Sequence, residues 1–265
     1  MKLGVIGCGK MGGALLEGIL DAGICDASEV TVYDNYAPAA TAISEKLGVV
    51  QADSNCAVVD RSETILLCVK PQGFLEMLGE IGESTDKLLI SIAAGVKIES
   101  IEASSSNRHR VVRVMPNTPA LAGAGASAFA LGTRASQDDA ALTETLLAAV
   151  GYVCQVDELA LDAVTALSGS GPAYIFLLLE ALISGAEDEG LASDIARDLA
   201  VHTVKGAAEL VLRTGDPPGK LRENVTSPNG TTFAALESFR KSNFETIVKK
   251  ALSAAAERSR ELGAI

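Results

Sequence analysis

Six residues near the N-terminus, GCGKMG at positions 7–12, have the spacing of a turn that binds phosphate groups. They follow a β-rich run and open a helical pattern. In a G-x-G-x-x-G turn the first glycine permits a sharp bend, the second lets a pyrophosphate approach the backbone, and the third lets helix and strand pack closely. The N–H groups that start the helix attract the phosphates. The pattern predicts a dinucleotide site made by backbone atoms, with the Cys8 and Lys10 side chains as spectators.

A carboxylate stands where the second strand of such a unit ends. Asp34 follows the β-rich run Val30–Tyr33 and is itself followed by Asn35. At this position a carboxylate can accept hydrogen bonds from the ribose of an adenosine. Asp34 and Asn35 are therefore candidate cofactor contacts.

Small residues and prolines follow three further predicted strands, at the edge where ligands of a doubly wound sheet bind. The turns are Lys70-Pro71, Ala93-Ala94-Gly95 and the MPNTP stretch at 115–119. They would form rigid walls suited to a flat ring. In the last turn, Asn117 and Thr118 could orient a carboxamide.

A second polar stretch, NVTSPNGTTF at 224–233, contains no His, Cys, Lys or Asp and runs into a helical pattern. A turn through Pro228-Asn229-Gly230 followed by a helix N-terminus presents unpaired N–H groups to an anion. Asn tolerates the left-handed conformation that such a turn requires at Asn229. The alternative is a well-capped helix with no ligand.

The predicted elements that position these residues are alternating strands and helices in the first part of the chain and helices alone in the second. Strands are predicted at Lys2–Ile6, Val30–Tyr33, Thr64–Val69, Leu88–Ile92, Val111–Val114, Ser127–Leu131 and Tyr152–Val156, with helices at Met11–Ala22 and Ala37–Leu47. Beyond residue 156 only helices are predicted, at Leu161–Leu167, Ala173–Glu189, Asp194–Arg213, Thr231–Lys241 and Phe244–Leu262, with Ser193 as a cap and Gly215 as a stop. This order predicts an α/β fold: a Rossmann-type, doubly wound parallel sheet in residues 1–156, followed by an all-α domain in residues 157–265.

The helical segment AYIFLLLEALI, at 173–183, is apolar almost all round, which is typical of a helix buried on every side. A helical domain of this size has few layers with which to cover it. We expect a homodimer through the C-terminal helices. The alternative is that the chain's own two domains bury the segment.

Composition excludes several classes of function. The net charge of −12 argues against nucleic acid and against an anionic membrane surface. The five cysteines are scattered and the two histidines have no ligand spacing, so neither disulfides nor a metal site is predicted. MKLGVIGCG lacks the pattern of a signal peptide, and residues 173–183 are too few to span a bilayer. We expect a cytoplasmic protein.

Five peptides together resemble one family, the pyrroline-5-carboxylate reductases. They are CVKP at 68–71, SIAAGV at 91–96, MPNTPAL at 115–121, LSGSGPAY at 167–174 and NVTSPNGTT at 224–232, in order along almost the whole chain. The resemblance implies the last step of proline synthesis, in which NADPH or NADH delivers hydride to 1-pyrroline-5-carboxylate. It also implies a substrate site where two subunits meet, and dimers that often assemble into decamers.

By position, the resemblance also implies which residues bind. Cofactor contacts fall on Gly7, Cys8, Gly9, Lys10, Met11, Asn55, Val69, Lys70, Ala94 and Asn224, to which the turn patterns add Gly12, Asp34, Asn35, Pro71 and Asn117. The substrate carboxylate falls on Ser227, Gly230, Thr231 and Thr232. Thr232 is the candidate catalytic residue, as an orienting group and proton relay for the ring nitrogen.

The choice between the two cofactors depends on Asp34. Many relatives carry Ser or Thr at this position and favour NADPH. An ionised Asp34 would repel a 2′-phosphate, and no Arg or Lys occurs between it and Lys46, so NADH is predicted to be used well. The alternative is that Asp34 turns outward and caps the helix that begins near Ala37, which leaves NADPH as the usual donor.

Two other functions fit the glycine turn less well. A β-hydroxyacid dehydrogenase would carry a lysine in a G-x-G-x-x-x-K pattern, but Gly169-Ser170-Gly171 leads to Ile175 at that position. A non-catalytic dinucleotide sensor would keep the N-terminal turn but would not need a carboxylate loop at 227–232.

Overall fold

The computed structural model describes residues 1–263, so the last two residues of the predicted C-terminal domain lie outside the described residues. The chain forms two compact units. The first comprises Met1–Ser170 and the residues from Ala254 onward, and the second comprises Gly171–Ser253. The strands end at Gln155, one residue before the predicted boundary, but the first unit continues to Ser170. The division into domains 1–156 and 157–265 stays a prediction.

The first unit is built on an eight-stranded sheet. Its strands are β1 (Leu3–Ile6), β2 (Val30–Tyr33), β3 (Val50–Gln51), β4 (Thr64–Leu67), β5 (Leu88–Ser91), β6 (Arg110–Met115), β7 (Gly125–Leu131) and β8 (Gly151–Gln155). They lie in the order β3-β2-β1-β4-β5-β6-β7-β8. Because β1 lies between β2 and β4, the chain winds first to one side of β1 and then to the other. The Rossmann-type α/β class is confirmed.

One strand pair departs from the predicted parallel sheet. β7 runs antiparallel to β6, while the other neighbouring pairs, including β7 and β8, are parallel. Only residues 116–124 connect β6 to β7, which is shorter than the crossover that a parallel pair needs. The predicted doubly wound parallel sheet therefore contains one antiparallel pair.

Helices follow most strands of the first unit. They are α1 (Lys10–Asp21), α2 (Ala37–Leu47), α3 (Asn55–Arg61), α4 (Phe74–Gly79), α5 (Ile98–Ser104), α6 (Gln137–Ala148) and α7 (Leu161–Val164), which continues as a π-helical turn over Thr165–Gly169. The next five are α8 (Gly171–Asp188), α9 (Ser193–Thr214), α10 (Pro218–Asn224), α11 (Thr231–Lys241) and α12 (Phe244–Leu262).

The long helices match their predictions to within two residues, whereas β3, the short helices α3 to α5, α6 and α10 were not predicted. The stop at Gly215 is confirmed, because this residue is the left-handed C-cap of α9 with φ 67°. The cap predicted at Ser193 is wrong. Ala192 is the N-cap, and no side chain caps the helix.

Two buried apolar clusters hold the helices against the two faces of the sheet. Val5 of β1 packs in one cluster with Leu15 and Leu16 of α1. The next residue, Ile6, packs in the other cluster with Phe74 of α4. Successive side chains of a strand point to opposite faces, so β1 anchors both layers and holds the turn that follows it from both sides.

The apolar helix α8 has no buried residue in the described chain. Ile175, Phe176 and Leu177 are 42, 58 and 66% exposed. Cover by a partner subunit and burial between the chain's own two domains both stay predictions for this helix. By length and composition alone, the helical stretch Glu158–Asp188 would also qualify as a membrane span, and little of it is buried.

Candidate functional site

The glycine turn after β1 is built as its spacing predicts. Gly7 has φ 99°, and a Cβ there would come within 2.7 Å of the Cys68 backbone. A Cβ on Gly12 would overlap the Gly7 carbonyl oxygen, which is the close packing of helix on strand. A Cβ on Gly9 would meet nothing within 4 Å. The space over Gly9 is thus open to a ligand, whereas Gly7 and Gly12 are required by the fold.

The start of α1 offers unpaired donors beside this open space. Gly9 is the N-cap, no side chain caps the helix, and no acidic residue lies in the first turn. The first N–H groups of a helix have no partner within it, and the helix dipole places partial positive charge there. This arrangement suits a pyrophosphate.

The Asp34 carboxylate fixes the shape of the turn. Its Oδ2 accepts a hydrogen bond from the Cys8 N–H at 2.7 Å, and its Oδ1 accepts one from the Tyr36 N–H at 2.8 Å. The N-cap of α2 is Tyr36, and no side chain caps that helix. Asp34 therefore turns towards the glycine turn and does not turn outward to cap α2. Burial, with a smaller contribution from the Asp34 charge, raises the pKa of the Cys8 thiol to about 12. Cys8 is consequently neutral and adds no charge to the site.

A cavity of about 610 Å³ opens at the carboxyl ends of β1, β2 and β4. This volume is in the usual range of small-molecule sites. The cavity brings together seven of the predicted cofactor residues: Gly7, Gly9, Asp34, Asn35, Asn55, Val69 and Lys70. Its position, at the switch point beside β1, is where a doubly wound sheet binds its ligands.

Sequence reasoning missed eight residues that line the same cavity. They are Ile6, Tyr33, Cys68, Gln72, Gly73, Glu76, Met77 and Glu80. The first three are at or next to strand ends, so the strand-end rule could have found them. The last five lie in the turn before α4, in α4 or, for Glu80, at its C-cap. Since α4 has only six residues, no periodic signal indicated it.

Asn55 has an unused acceptor in this cavity. Its side chain is 94% buried, because only 6% remains exposed. Its Nδ2 donates to Glu80 Oε2 at 2.7 Å, while its Oδ1 is buried and has no hydrogen-bond partner among the described residues. A buried acceptor left unpaired is costly, and a ligand hydroxyl would satisfy it. The cavity thus fits the polar part of a nucleotide.

The other predicted cofactor residues do not line the cavity. Cys8, Lys10, Met11, Gly12 and Pro71 belong to its turns, and Ala94 lies in the turn after β5. Asn224 ends α10 in the second unit. As cofactor contacts these residues stay predictions.

The side-chain amide of Asn117 is already used inside the protein. Its Nδ2 donates to the Ser168 carbonyl at 3.0 Å, and its Oδ1 accepts from the Ala126 N–H at 2.8 Å. Asn117 therefore fastens the turn after β6 to β7 and to the π-helical turn. Its predicted contact with the carboxamide would have to compete with both hydrogen bonds.

The predicted carboxylate loop lies in the second unit and has the expected backbone. Asn229 has φ 58°, the left-handed conformation that its residue type tolerates. Gly230 is the N-cap of α11, no side chain caps it, and a Cβ there would overlap Ser227 Oγ. The first helical bond runs from the Ala234 N–H to the Gly230 carbonyl at 3.1 Å, so the three preceding N–H groups have no partner in the helix.

Three hydroxyls surround these free N–H groups. In the part of the chain that the structure describes, no hydrogen bond joins the side chains of Ser227, Thr231 and Thr232 to another protein group. The loop therefore carries the donors that a small carboxylate needs. No side chain caps α11, so the helix start lacks the side-chain cap that the alternative supposed, and the carboxylate contact itself stays a prediction.

Known relatives match this chain over almost their whole length. Pyrroline-5-carboxylate reductase from Arabidopsis thaliana is 41% identical over 263 residues, which cover 98% of this chain and 95% of that protein. The enzyme of the same name from Methanosarcina acetivorans is 41% identical over 264 residues, which cover 99% of this chain and 98% of that protein.

The chain belongs to the pyrroline-5-carboxylate reductase family.

Family models and solved structures agree with this membership. Residues 158–262 match the family model described as pyrroline-5-carboxylate reductase dimerisation, and residues 2–95 match the model described as NADP oxidoreductase coenzyme F420-dependent. A pyrroline-5-carboxylate reductase structure from Coxiella burnetii superposes with a TM-score of 0.92 at 36% identity, covering 98% of each chain. The Plasmodium falciparum enzyme with NADP bound superposes with a TM-score of 0.89 at 31% sequence identity, covering 99% of this chain and 98% of that one. The resemblance stated from five peptides is confirmed.

The glycine turn of this reductase yields a prediction that separates binding from folding. Gly9→Ala should weaken NADH and NADPH binding by about tenfold or more, since the new methyl occupies the open space, while the melting temperature stays unchanged. Gly12→Ala should instead destabilise the protein by roughly 1–3 kcal/mol through overlap with Gly7. Calorimetric titration and thermal unfolding measure the two effects.

Gly79→Ala is the matched control. Gly79 is also open to a Cβ but does not line the cavity, so neither binding nor stability should change. Unchanged cofactor affinity in Gly9→Ala would show that the pyrophosphate does not lie over Gly9.

Proposed function

We propose that the protein reduces 1-pyrroline-5-carboxylate to L-proline, the final step of proline biosynthesis, with NADPH or NADH as the donor. One observation carries the proposal. A member of this family holds both a preformed glycine turn for a dinucleotide and an uncapped helix start for a carboxylate. The protein is thus an NAD(P)H-dependent oxidoreductase acting on a carbon–nitrogen bond.

The reaction adds a hydride to the ring carbon of the C=N bond and a proton to the ring nitrogen. A nicotinamide cofactor, when bound, would supply the hydride. The protein's part is to bind and orient. The backbone at Gly7 and Gly9 and the first N–H groups of α1 would hold the pyrophosphate, and Asp34 and Asn55 would accept hydrogen bonds from the adenosine ribose.

The substrate carboxylate is held by the loop before α11. The free N–H groups of Thr231, Thr232 and Phe233, with the hydroxyls of Ser227 and Thr232, can bind it without a lysine. A helix N-terminus stabilises an anion by about 0.3–1 kcal/mol, and by up to about 2 kcal/mol when partly buried. Asn229, at φ 58°, keeps the loop in the conformation that presents these donors.

The ring nitrogen does not require a strong acid from the protein. A cyclic imine with a basic nitrogen can take a proton from water near neutral pH, and the iminium accepts hydride readily. The Thr232 hydroxyl, which has no protein partner in the described chain, orients the nitrogen and relays its proton. Catalysis then depends mainly on holding the reacting carbons together.

The direct test is to incubate the purified protein with the imine and either NADH or NADPH, and to follow absorbance at the nicotinamide band. Loss of the band with formation of L-proline is the expected result. A protein that binds the nucleotides and leaves the imine unchanged would be a dinucleotide sensor. Oxidation of β-hydroxyacids, with no activity on the imine, would mark the dehydrogenase alternative.

Thr232→Ala should lower turnover by roughly one to two decades, the scale of one lost, well-positioned hydrogen bond. Cofactor affinity and the melting temperature should not change, since the Thr232 side chain makes no protein hydrogen bond. Steady-state kinetics with the imine measure the effect. Thr232→Ser keeps the hydroxyl and should retain most of the activity. Wild-type kinetics in a folded Thr232→Ala protein would remove Thr232 from the site.

A homodimer through the C-terminal helices forms part of this proposal, with each active site completed by both subunits. The exposed apolar side chains of α8 support it, and α8 lies within the part of the chain that matches a dimerisation family model. Cover by a second copy also removes the need for a membrane around this stretch. Further assembly of dimers into a decamer is a second, separable proposal.

A cytoplasmic location is also proposed. It is supported by the five cysteines, all of which are free thiols in the structure. Such usage is typical of a reducing compartment. Fractionation of cells that express the native protein tests it, and recovery in a membrane or secreted fraction would contradict it.

Association should be lost when α8 carries a charge. Phe176→Asp places a carboxylate on the exposed apolar face of α8 and should yield monomers with little activity, because a charge buried without a partner opposes association. Light scattering at nanomolar to micromolar concentration measures the mass. Leu75→Asp, at a half-exposed leucine of α4 that lies outside residues 158–262, is the control and should remain a dimer. A fully active wild-type monomer would defeat the dimer proposal.

A further inference from the structure

The cavity at the end of β2 is strongly acidic. Three of its lining side chains are carboxylates, Asp34, Glu76 and Glu80, and among the described lining residues the single ammonium is that of Lys70. Three negative charges against one positive charge leave the wall with a formal charge of −2. An additional anion brought into this wall is repelled, and repulsion is stronger in a partly buried cavity than in water.

The carboxylate oxygens of this wall are acceptors, and those of Asp34 are held in a fixed orientation. Both Asp34 oxygens already accept one backbone N–H each, at 2.7 and 2.8 Å, which fixes the carboxylate in place and leaves each oxygen with further lone-pair capacity. The buried Oδ1 of Asn55 accepts nothing from the described residues. Glu80 fixes its orientation, because rotating the amide would turn Oδ1 towards the Glu80 carboxylate.

Ribose hydroxyls and a 2′-phosphate differ in the charge and the hydrogen-bond donors that they bring to this acidic cavity wall. A ribose with free 2′- and 3′-hydroxyls brings two donors, which can pair with Asp34 and with Asn55 Oδ1. A 2′-phosphate brings up to two negative charges and acceptor oxygens only. The lining side chains that could donate to it are those of Tyr33, Asn35, Lys70 and Gln72, and of these only Lys70 carries a charge to set against the three carboxylates.

We propose that Asp34 is the specificity-determining residue of the cofactor site and that, with Asn55, Glu76 and Glu80, it makes this reductase an NADH-preferring enzyme. The inference rests on the proposed function, which requires a nicotinamide cofactor, and it adds that NADH binds more tightly than NADPH. Repulsion between unit charges at contact distance in a partly screened site corresponds to about tenfold or more in affinity.

The test uses the adenosine half of each cofactor, so that no turnover is needed. Titration calorimetry compares the dissociation constants of ADP and of 2′,5′-ADP, and of NADH and NADPH, with the wild-type protein. We expect ADP and NADH to bind at least about tenfold more tightly than their 2′-phosphorylated counterparts. The ratio should shrink as ionic strength rises, because salt screens the repulsion.

Three variants separate charge from structure. Asp34→Ser should lower the preference for ADP over 2′,5′-ADP, measured as the ratio of their dissociation constants, by about tenfold. Glu76→Gln should lower this ratio by a smaller factor. The Glu76 side chain is exposed and makes no hydrogen bond among the described residues, so its change leaves the glycine turn intact. Glu144→Gln removes an exposed charge outside the cavity and should leave the ratio unchanged. Glu76→Gln and the salt series keep the proposal testable if Asp34→Ser fails to fold.

Two outcomes overturn the inference. One is a wild-type protein that binds 2′,5′-ADP as tightly as ADP or more tightly. The other is a ratio that neither salt nor Glu76→Gln changes. Failure of the proposed function looks different, because a protein that discriminates between the nucleotides but leaves the imine unreduced would keep the preference and lose the reaction.

Discussion

The hydrogen bond from the Cys8 N–H to the Asp34 carboxylate joins the turn after β1 to the turn after β2. These two turns border the switch point of the sheet, where the chain has wound to one side of β1 and then to the other. Gly12 packs on the Gly7 carbonyl beneath them, so the first turn of α1 is held against the strand end. The open space over Gly9, the free N–H groups of α1 and the acidic wall beyond Asp34 all depend on that arrangement. The Asp34 carboxylate thus fixes the backbone of the proposed pyrophosphate site and supplies negative charge beside the proposed ribose site.

Local chemistry explains what could be predicted from the sequence. The roles of Gly7, Gly9 and Gly12 follow from backbone conformation and from the space around one missing Cβ, and Asn229 adopts the left-handed conformation that its side chain tolerates. The Rossmann-type class follows from alternating strand and helix patterns. Each of these inferences needs only a residue and its near neighbours in the chain.

Three features escaped prediction, and each has its own physical reason. β7 runs antiparallel because its connection from β6 is too short for a crossover, which the apolar pattern of β7 does not reveal. Glu76 and Glu80 reach the cavity from α4, a helix too short to give a periodic signal. Asn117 has both ends of its amide taken by Ser168 and Ala126, so its residue type suggested a ligand contact that the folded protein uses internally.

The two units divide the chemistry between them. The first holds the dinucleotide turn, and the second holds the N–H groups and hydroxyls for a carboxylate. The proposed reaction needs no strong acid from either unit, because its substrate nitrogen is basic enough to take its proton from water. The exposed apolar face of α8 is the surface through which we propose that two subunits pair.

The central claim is that a hydride passes directly from the nicotinamide ring to the C=N carbon of the imine. It is tested most directly with NADH that carries deuterium at both C4 positions, followed by mass spectrometry and NMR of the product. The account predicts L-proline with one deuterium, on the ring carbon bonded to nitrogen. Of the two ring carbons bonded to nitrogen, this is the one that does not carry the carboxylate; unlabelled proline formed while the deuterated cofactor is oxidised, or deuterium at any other carbon, would contradict the account.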